Sequence, residues 1–258
     1  MGEILVPELA HLAADRDDAL GEHRRTEIEG AMKALGVTDH RWLGGFGRFR
    51  DSGMKWHEYG HAIAADETDA RAFANADLTV AADELVRIIR EVRPQVMATY
   101  DQFGGYGHPD HIQAHRVAMY AAQLAAVRSY RPELGEPWDI AKIYWNAMSE
   151  SKMREGLRKL REAGEETFFQ GMDPDGPMPP FVTSDENLDA AVDAIEYVGQ
   201  KMDAMAAYPT QITTDGPFFA LSNNVGDTAW GVEYYRLVKG TAGPRGEDGL
   251  ETDLFAGL

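Results

Sequence analysis

The sequence predicts an α/β fold with a Rossmann-like, mostly parallel sheet flanked by helices. Its 258 residues are 44% hydrophobic and 26% charged, as is typical of a globular chain long enough for one large α/β domain. Helical patterns alternate along the chain with short β-prone runs, which favours a sheet covered by helices. A glycine-rich loop joins one of these runs to the next helix, at the strand end where such sheets usually bind ligands.

The first helix is predicted in "GEHRRTEIEGAMKALGV", because its apolar residues recur at i, i+3, i+4 and i+7. The following run "HRWLGG" is predicted to be a short strand that enters a glycine-rich loop. Residues 44 to about 70 lack a sustained period, which indicates a long functional loop. The clearest helix is "ADLTVAADELVRIIREVRP", and Pro94 marks its end.

The middle of the chain has the order strand, loop, helix. "QVMATY" is a β-prone run, "DQFGGYG" is the glycine-rich loop, and "HPDHIQAHRVAMYAAQLAAV" is a helix that begins with a proline in its first turn. "KIYWNAM" predicts a second strand, and "SESK" after it the start of a helix. This alternation is the basis for expecting a largely parallel sheet.

The last third of the chain is expected to contain a lid. Residues near 165–185 are rich in proline and glycine, which is typical of a long surface loop. A further helix is predicted from Ser184 through about Tyr208, followed by strands in "GPFFALSNN" and "VEYYRLVKG". Without internal repeats or low-complexity segments, residues 1–258 are expected to form a single domain.

The charge and composition exclude several classes of partner. A formal net charge of −18 argues against a nucleic acid or an anionic membrane, because phosphates would be repelled. The sequence has neither a basic start followed by an apolar core, as in a signal peptide, nor an apolar run of membrane-spanning length. It contains no cysteine, which excludes disulfides and thiolate metal ligands. The lack of cysteine is compatible with the reducing cytoplasm, which is the expected location.

The stretch "HEYGH", His57 to His61, matches the H-E-x-x-H motif of zinc proteases. That chemistry requires a stable helix, and Gly60 would cost such a helix roughly 1 kcal/mol relative to alanine. The stretch also falls inside the predicted long loop, so we interpret it as a coincidental match. A bolder hypothesis is that His57 or His61 supplies a ligand to a metal bound elsewhere.

A second histidine cluster lies in "GGYGHPDHIQAH", at the start of a predicted helix. His108, His111 and His115 are spaced i, i+3 and i+7, so they share one helical face. Pro109 suits the first helical turn, and Asp110 complements the positive end of the helix dipole. Imidazoles beside a flexible loop at the end of a strand are suitable metal ligands and proton donors. The simpler alternative is a helix start that happens to be rich in histidine.

The same block resembles the second signature of the GlcNAc-PI de-N-acetylase (PIG-L/LmbE-like) superfamily. Within it, the chain is most similar to the deacetylases that act on GlcNAc-inositol in mycothiol biosynthesis. The resemblance extends in order through "LGEHRRTEIEGAMKALGV", "LGGFGRFRDSGM", "VRPQVMATYDQFGGYGHPDH", "TQITTDGPFFALSNN" and "ETDLFAGL". It implies a zinc-dependent hydrolase, with one zinc ion in the intact enzyme, that removes acetate from an amino-sugar inositol.

The resemblance also implies roles for individual residues. His111 would be a zinc ligand, and His108 would donate a proton or stabilise the developing oxyanion. Asp110 would orient one of these imidazoles, and Tyr106 would help to polarise the substrate carbonyl. Such groups suit amide hydrolysis, which requires an activated water, an electrophilic clamp on the carbonyl and an acid for the leaving amine.

Two further residues would bind substrate hydroxyls by the same resemblance, namely Arg24 in "HRRTE" and Asp51 in "RFRDSGM". Each has a simpler explanation. Arg24 and Glu27 could form an i, i+3 pair on the surface of a helix, and Asp51 could be an ordinary turn residue.

The chain departs from the family at its beginning, where no "HPDD"-type zinc motif occurs. In the family that motif follows the first strand and supplies further zinc ligands and the general base. The first strand-helix-strand unit of the fold is therefore expected to be missing, as in an amino-terminally truncated chain. Three alternatives follow from the sequence: a catalytically impaired carbohydrate-binding remnant, a mycothiol S-conjugate amidase of the same family, and the zinc protease.

Overall fold

The computed structural model describes residues 4, 6–58, 61–162, 164, 172–213 and 231–258. The chain divides into two compact units. We call them the helical unit and the sheet unit after their main elements. The helical unit comprises Met1–Arg41, Arg154–Gly176 and Ala194–Val232, and the sheet unit comprises Trp42–Met153, Pro177–Asp193 and Glu233–Leu258.

Helices and strands alternate along much of the chain. The helices are α1 (Leu20–Leu35), α2 (Leu78–Val92), the single turn α3 (Gly104–Gly107), α4 (Pro109–Ala125), α5 (Glu150–Glu162) and α6 (Val198–Ala206). The strands are β1 (Met54–Trp56), β2 (Ala62–Ala64), β3 (Val96–Thr99), β4 (Lys142–Ser149), β5 (Val182–Thr183), β6 (Ala190–Asp193) and β7 (Val232–Lys239).

In the helical unit, α1 packs against α6. The carboxylate of Glu27 is buried between α1 and the loop that follows α6. It accepts hydrogen bonds from the backbone N–H of Thr210 at 3.1 Å and from the Thr210 hydroxyl at 2.7 Å. Because a buried carboxylate must be hydrogen-bonded to be tolerated, these bonds fix the loop to the helix.

In the sheet unit, β4 is the central strand of the order β3-β4-β7-β6. It pairs in parallel with β3 and with β5, and antiparallel with β7. Helices α2 and α4 pack against each other, and their buried aliphatic residues meet β4 in one core. The predicted α/β class is therefore confirmed. The core includes Val86, Ile89, Ala121, Ala122, Ala125 and Ile143.

Several predicted elements are confirmed in the structure: the helices α1, α2 and α4, the strands β3, β4 and β7, and the helix start at "SESK". The predicted strand in "GPFFALSNN" and part of the predicted lid lie outside the described residues. Within those residues, none of the helices is both long and apolar enough to cross a membrane.

The predicted strand in "HRWLGG" is wrong. Residues 43 to 49 form turns and bends, in which Gly44, Gly45 and Gly47 have positive φ angles. Glycine adopts these angles without steric cost, so the backbone turns where an extended strand would continue. The prediction of one long loop from residue 44 to about 70 is only partly right, because the short strands β1 and β2 pair antiparallel within it.

The predicted helix from Ser184 to Tyr208 is only half right. Its second half is α6, but Ala190–Asp193 form strand β6. Leu188 and Ala190 are buried at alternate positions, which is the period of a strand. Pairing within the sheet therefore overrides the helical preference of the alanines in this segment.

Arg90 of α2 is buried and donates to backbone carbonyls at the end of α4 and in the segment that follows it. Its guanidinium lies 2.9 to 3.3 Å from the carbonyl oxygens of Leu124, Ala125, Val127, Tyr130, Arg131 and Gly135. A cation at the carboxyl end of a helix complements the helix dipole, so Arg90 joins α2 to the end of α4.

Lys142 at the start of β4 is also buried, and it is paired with Glu251 near the end of the chain. The ammonium donates to the Glu251 carboxylate at 2.5 Å and to the carbonyl of Ala256 at 2.7 Å. The Tyr144 hydroxyl donates to the other carboxylate oxygen at 2.5 Å. This network holds the last residues of the chain against the central strand.

Candidate active site

The site begins where β3 ends and the chain enters the glycine-rich loop. Asp101 is buried there, and its carboxylate accepts hydrogen bonds from the N–H groups of Phe103 and Gly105, each at 3.0 Å. Burial raises the pKa of this carboxyl group, and the two hydrogen bonds act in the opposite direction. The aspartate that follows the strand therefore shapes the start of the loop.

Two glycines allow the loop to approach its neighbours closely. Gly104 has a φ of +65°, and a Cβ atom there would lie 2.5 Å from the backbone nitrogen of Ile112. Gly107 has a φ of +101°, and a Cβ atom there would lie 2.4 Å from the carbonyl oxygen of Ala62. Glycine is thus required at both positions, and the loop lies directly against α4 on one side and β2 on the other.

Asp110 connects three segments at the start of α4. One carboxylate oxygen accepts from the backbone N–H of Ser52 and the other from that of Ala74, both at 2.8 Å. This holds the loop that carries Asp51 next to the helix start. Asp51 itself accepts from the N–H of Gly53 at 2.7 Å, in a local turn of the kind that the simpler explanation expects.

His108 is the N-cap residue of α4, and it is 8% exposed. Its Nδ1 accepts the backbone N–H of Asp110 at 3.2 Å, so the neutral ring carries its proton on Nε2. The Asp110 carboxylate lies 4.0 Å from Nδ1, which is too far for a hydrogen bond. Asp110 therefore contacts this imidazole through its backbone N–H.

His111 lies one turn further along α4, with its ring stacked on Tyr100 at 4.3 Å. Its Nδ1 is 3.2 Å from the carbonyl oxygen of Gly104, and because a carbonyl only accepts, Nδ1 is the donor. The neutral ring then has its lone pair on Nε2. Burial, and next the proximity of His108, lower the pKa of His111 to about 4, so the ring is neutral near pH 7.

Tyr106 covers these imidazoles from the glycine-rich loop. Its ring is edge-on to His111 at 5.3 Å and to His108 at 6.3 Å, and it stacks on Trp56 at 5.7 Å. Burial, followed by the nearby Tyr100 and Asp51, raises the pKa of the Tyr106 phenol to about 12. The phenol is therefore a stable hydrogen-bond donor at neutral pH.

Three side chains in this region could together hold a metal ion. Asp51, His108 and Asp110 each offer one ligand atom, and these atoms lie within 4.8 Å of one another. Within the described residues this is the only group of three or more such side chains that meets this distance. His111 is outside the group, although its ring centre is 4.8 Å from that of His108. The structure thus brings four predicted site residues together, with Tyr106 beside them.

Comparison with known proteins shows to which family the chain belongs. The model of the family described as "PIG-L: GlcNAc-PI de-N-acetylase" matches residues 7–122. A Nocardioides protein named 1D-myo-inositol 2-acetamido-2-deoxy-alpha-D-glucopyranoside deacetylase is 72% identical over 258 residues, which cover all of this chain and 85% of the relative. The chain belongs to the GlcNAc-PI de-N-acetylase family.

Further relatives of this family member bear the same name. The Kribbella flavida protein is 63% identical and the Geodermatophilus obscurus protein 54% identical, each over 257 residues that cover the whole chain and 84% of the relative. A solved structure, that of a conserved protein of Thermus thermophilus, is similar at 20% identity with a TM-score of 0.45. The similarity covers 90% of this chain and 76% of that one.

In this de-N-acetylase family member, His57 and Glu58 of "HEYGH" follow strand β1, and His61 directly precedes strand β2. Trp56 pairs with Ala62, and the N–H of His57 donates to the carbonyl oxygen of His61 at 2.8 Å. The two imidazoles stack at 4.7 Å, and the buried Nδ1 of His61 has no hydrogen-bond partner within the described residues. The helical frame that a zinc protease needs is therefore absent from residues 57, 58 and 61. Neither histidine belongs to the group with Asp51.

Arg24 lies on α1 in the helical unit, whereas Asp51 lies in the sheet unit. With the Gln211 amide oriented to satisfy both groups, its oxygen accepts from the Arg24 guanidinium at 2.9 to 3.0 Å. The simpler explanation, a surface pair with Glu27, is wrong because Glu27 is only 5% exposed and binds Thr210. The contact with Gln211 is one that sequence analysis missed, and no local pattern signals it.

Proposed function

We propose that this chain is a zinc-dependent deacetylase that hydrolyses the N-acetyl group of GlcNAc-inositol, a step of mycothiol biosynthesis. The relatives named as deacetylases of that compound support the substrate. The observation that carries the chemistry is the fixed arrangement of His108, His111 and Tyr106 around the start of α4. The centres of the three rings lie 4.8 to 6.3 Å from one another, and each ring presents a defined donor or lone pair.

The donor set of the site fits a divalent metal ion. A histidine that ligates zinc usually donates its second ring N–H to a carbonyl or carboxylate, as the Nδ1 of His111 does to Gly104. Asp51 and Asp110 offer carboxylate oxygens nearby. We assign His111 as a zinc ligand through Nε2. When bound, zinc would supply a water of lowered pKa and polarise the amide carbonyl.

The other groups of the site suit the remaining tasks of amide hydrolysis. The Tyr106 phenol keeps its proton, so it can donate a hydrogen bond to the carbonyl oxygen as negative charge develops there. His108 has its N–H on Nε2 and can donate a hydrogen bond to the developing oxyanion; once it has taken up a second proton, it can give one to the leaving amine. Asp110 positions His108 through its backbone, and Asp51, which is exposed, is available to substrate hydroxyls.

Arg24 is proposed as the second substrate-binding residue. Its guanidinium is oriented by the Gln211 amide, which is a neutral acceptor. The proposed substrate is a small molecule rather than a nucleic acid, in keeping with the net charge of −18. A cytoplasmic location is proposed from the sequence alone, because the chain has no cysteine.

The test is acetate release from GlcNAc-inositol by the purified chain, measured together with bound zinc per chain. We expect His111→Ala to lose zinc, and His108→Ala to keep zinc and lose about 100-fold or more in kcat, as expected for a lost general acid. His11→Ala, which changes an exposed histidine, is the matched control. Zinc content that His111→Ala leaves unchanged would contradict the assignment of His111.

Two alternatives have distinct outcomes in the same assay. A carbohydrate-binding remnant would bind GlcNAc-inositol and release no acetate, and the lack of an "HPDD" motif in this sequence is what favours it. A mycothiol S-conjugate amidase would cleave the S-conjugate amide at a higher kcat/KM than GlcNAc-inositol. The deacetylase is favoured over both by the names of the relatives.

A further inference from the structure

Trp56 is an exposed aromatic residue that lies beside the candidate site. It is the last residue of β1, and 52% of it is exposed. Its strand partner Ala62 is buried, and the Ala62 carbonyl lies against Gly107 of the glycine-rich loop. The hairpin that carries Trp56 is therefore packed directly on the loop that carries Tyr106.

The indole of Trp56 extends the aromatic surface of the site outward. Its ring stacks on Tyr106 with 5.7 Å between ring centres and 29° between planes. Tyr106 in turn is edge-on to His111. Trp56 is thus one ring further from the imidazoles than Tyr106. A single exposed apolar residue needs no explanation, but an exposed indole that continues an active-site surface suggests a ligand.

We propose that Trp56 is a stacking platform for the inositol ring of the substrate. This inference rests on the proposed function, since the scissile amide must lie at Tyr106, His108 and His111. The sugar that carries the amide would then lie next to Tyr106, and the inositol ring joined to that sugar would lie next to Trp56. The face of a cyclitol presents C–H bonds of positive polarity, which the negative π face of an indole attracts.

A purely structural role for Trp56 would be to buttress Tyr106. The two roles differ in the substrates they affect. A buttress acts on the carbonyl clamp, so its loss would lower kcat for every N-acetylated substrate alike. A platform acts on the ring distant from the amide, so its loss would raise KM for GlcNAc-inositol and leave free N-acetylglucosamine unaffected.

The experiment measures kcat and KM of the holoenzyme for GlcNAc-inositol and for N-acetylglucosamine, with Trp56→Leu and Trp56→Phe. We expect Trp56→Leu to raise KM for GlcNAc-inositol about tenfold at nearly constant kcat, and Trp56→Phe to raise it less. The kcat and KM for N-acetylglucosamine should be the same in these variants as in the wild type. Trp42→Leu, in another exposed aromatic pair of the same unit, is the matched control and should change neither.

If Trp56→Leu lowered kcat equally on both substrates, the stacking proposal would be wrong, and the role of Trp56 would be to support Tyr106. If the wild-type chain released acetate from neither substrate, the proposed function would fail, and the platform would then be tested by calorimetric titration with the same two compounds. A platform requires that Trp56→Leu weaken the binding of GlcNAc-inositol only. Unchanged binding of GlcNAc-inositol to Trp56→Leu would reject it.

Discussion

Gly104 shows how one backbone position prepares the chemistry of a side chain. The same glycine that approaches α4 too closely for a Cβ atom also supplies the carbonyl that accepts the Nδ1 proton of His111. The close approach and the ring tautomer are therefore consequences of one local conformation. A side chain at position 104 would therefore disturb the His111 imidazole from the side of the glycine-rich loop.

We expect Gly104→Ala to destabilise the protein and to weaken zinc binding. The positive φ angle alone costs an L-residue ~1–2 kcal/mol, and the contact with the backbone of Ile112 adds a steric term, for about 3 kcal/mol in all. Gly36→Ala is the control, because its φ is +70° and a Cβ atom there would meet nothing within 4 Å. Urea unfolding and zinc titration of both variants measure the difference.

The two variants separate backbone strain from displacement of the imidazole. If Gly104→Ala and Gly36→Ala lost the same stability, and Gly104→Ala bound zinc as tightly as the wild type, the steric contact would have no part in positioning His111. A loss of zinc affinity restricted to Gly104→Ala would support the assignment of His111 as a ligand.

The link between α2 and the end of α4 depends on one guanidinium. Because Arg90 is buried among six backbone carbonyls, replacing it with methionine keeps the apolar stem and removes all the hydrogen bonds that the guanidinium donates to them. We expect Arg90→Met to lower the free energy of unfolding by roughly 2–4 kcal/mol. Thermal and urea unfolding would measure this loss.

Arg87→Met is the matched control for this change. Arg87 lies on the same helix, and its guanidinium forms an exposed pair with Glu84 at 3.1 Å. Such a pair contributes well under 1 kcal/mol, so the control should be close to the wild type. If both variants lost the same free energy of unfolding, the buried Arg90 guanidinium would contribute no more to stability than an exposed arginine of the same helix.

The elements that the sequence predicts correctly are those with a strong local signal. Helix α2 has an apolar face at helical spacing and is predicted to stop at Pro94, and the structure ends it at Val92. Helix α4 has Pro109 in its first turn and begins there. Strand β6 has no such signal, because it exists through its partners in the sheet. Local pattern therefore predicts periodic elements and misses those made by tertiary pairing.

The candidate site shows the same difference between features with a sequence signal and features made by tertiary contacts. The family resemblance groups Tyr106, His108, Asp110 and His111 in one site, and the structure brings them together around the start of α4. Their individual roles remain predictions. The bonds from Asp110 to two distant backbone N–H groups have no sequence signal, because Ser52 and Ala74 are ordinary residues there. Contacts to backbone are set by the fold and not by residue type.

The buried pair of Lys142 and Glu251 joins two distant parts of the sheet unit's sequence. Removing one partner leaves an uncompensated buried charge, which typically costs about 3–5 kcal/mol, whereas replacing both with apolar residues is often neutral. We therefore expect Lys142→Met to be strongly destabilising, by about 3 kcal/mol or more. The double variant Lys142→Met with Glu251→Leu should recover most of that loss.

Urea unfolding of the two single variants and the double variant measures this coupling. Additive losses in the double variant would contradict the account, because they would mean that the two charges do not depend on each other. Tyr144→Phe, which removes one hydrogen bond to Glu251 and leaves the ion pair, should lose only about 1 kcal/mol.

The same ion pair has a consequence for synthesis on the ribosome. Glu251 follows Lys142 by 109 residues, so at about 5–20 residues per second the lysine emerges roughly 5 to 20 s before its partner. During that interval, the start of the central strand carries an ammonium group whose burial is not yet compensated. The nascent sheet unit is therefore expected to stay open at this strand until translation has passed Glu251, when closure of the ion pair would complete it.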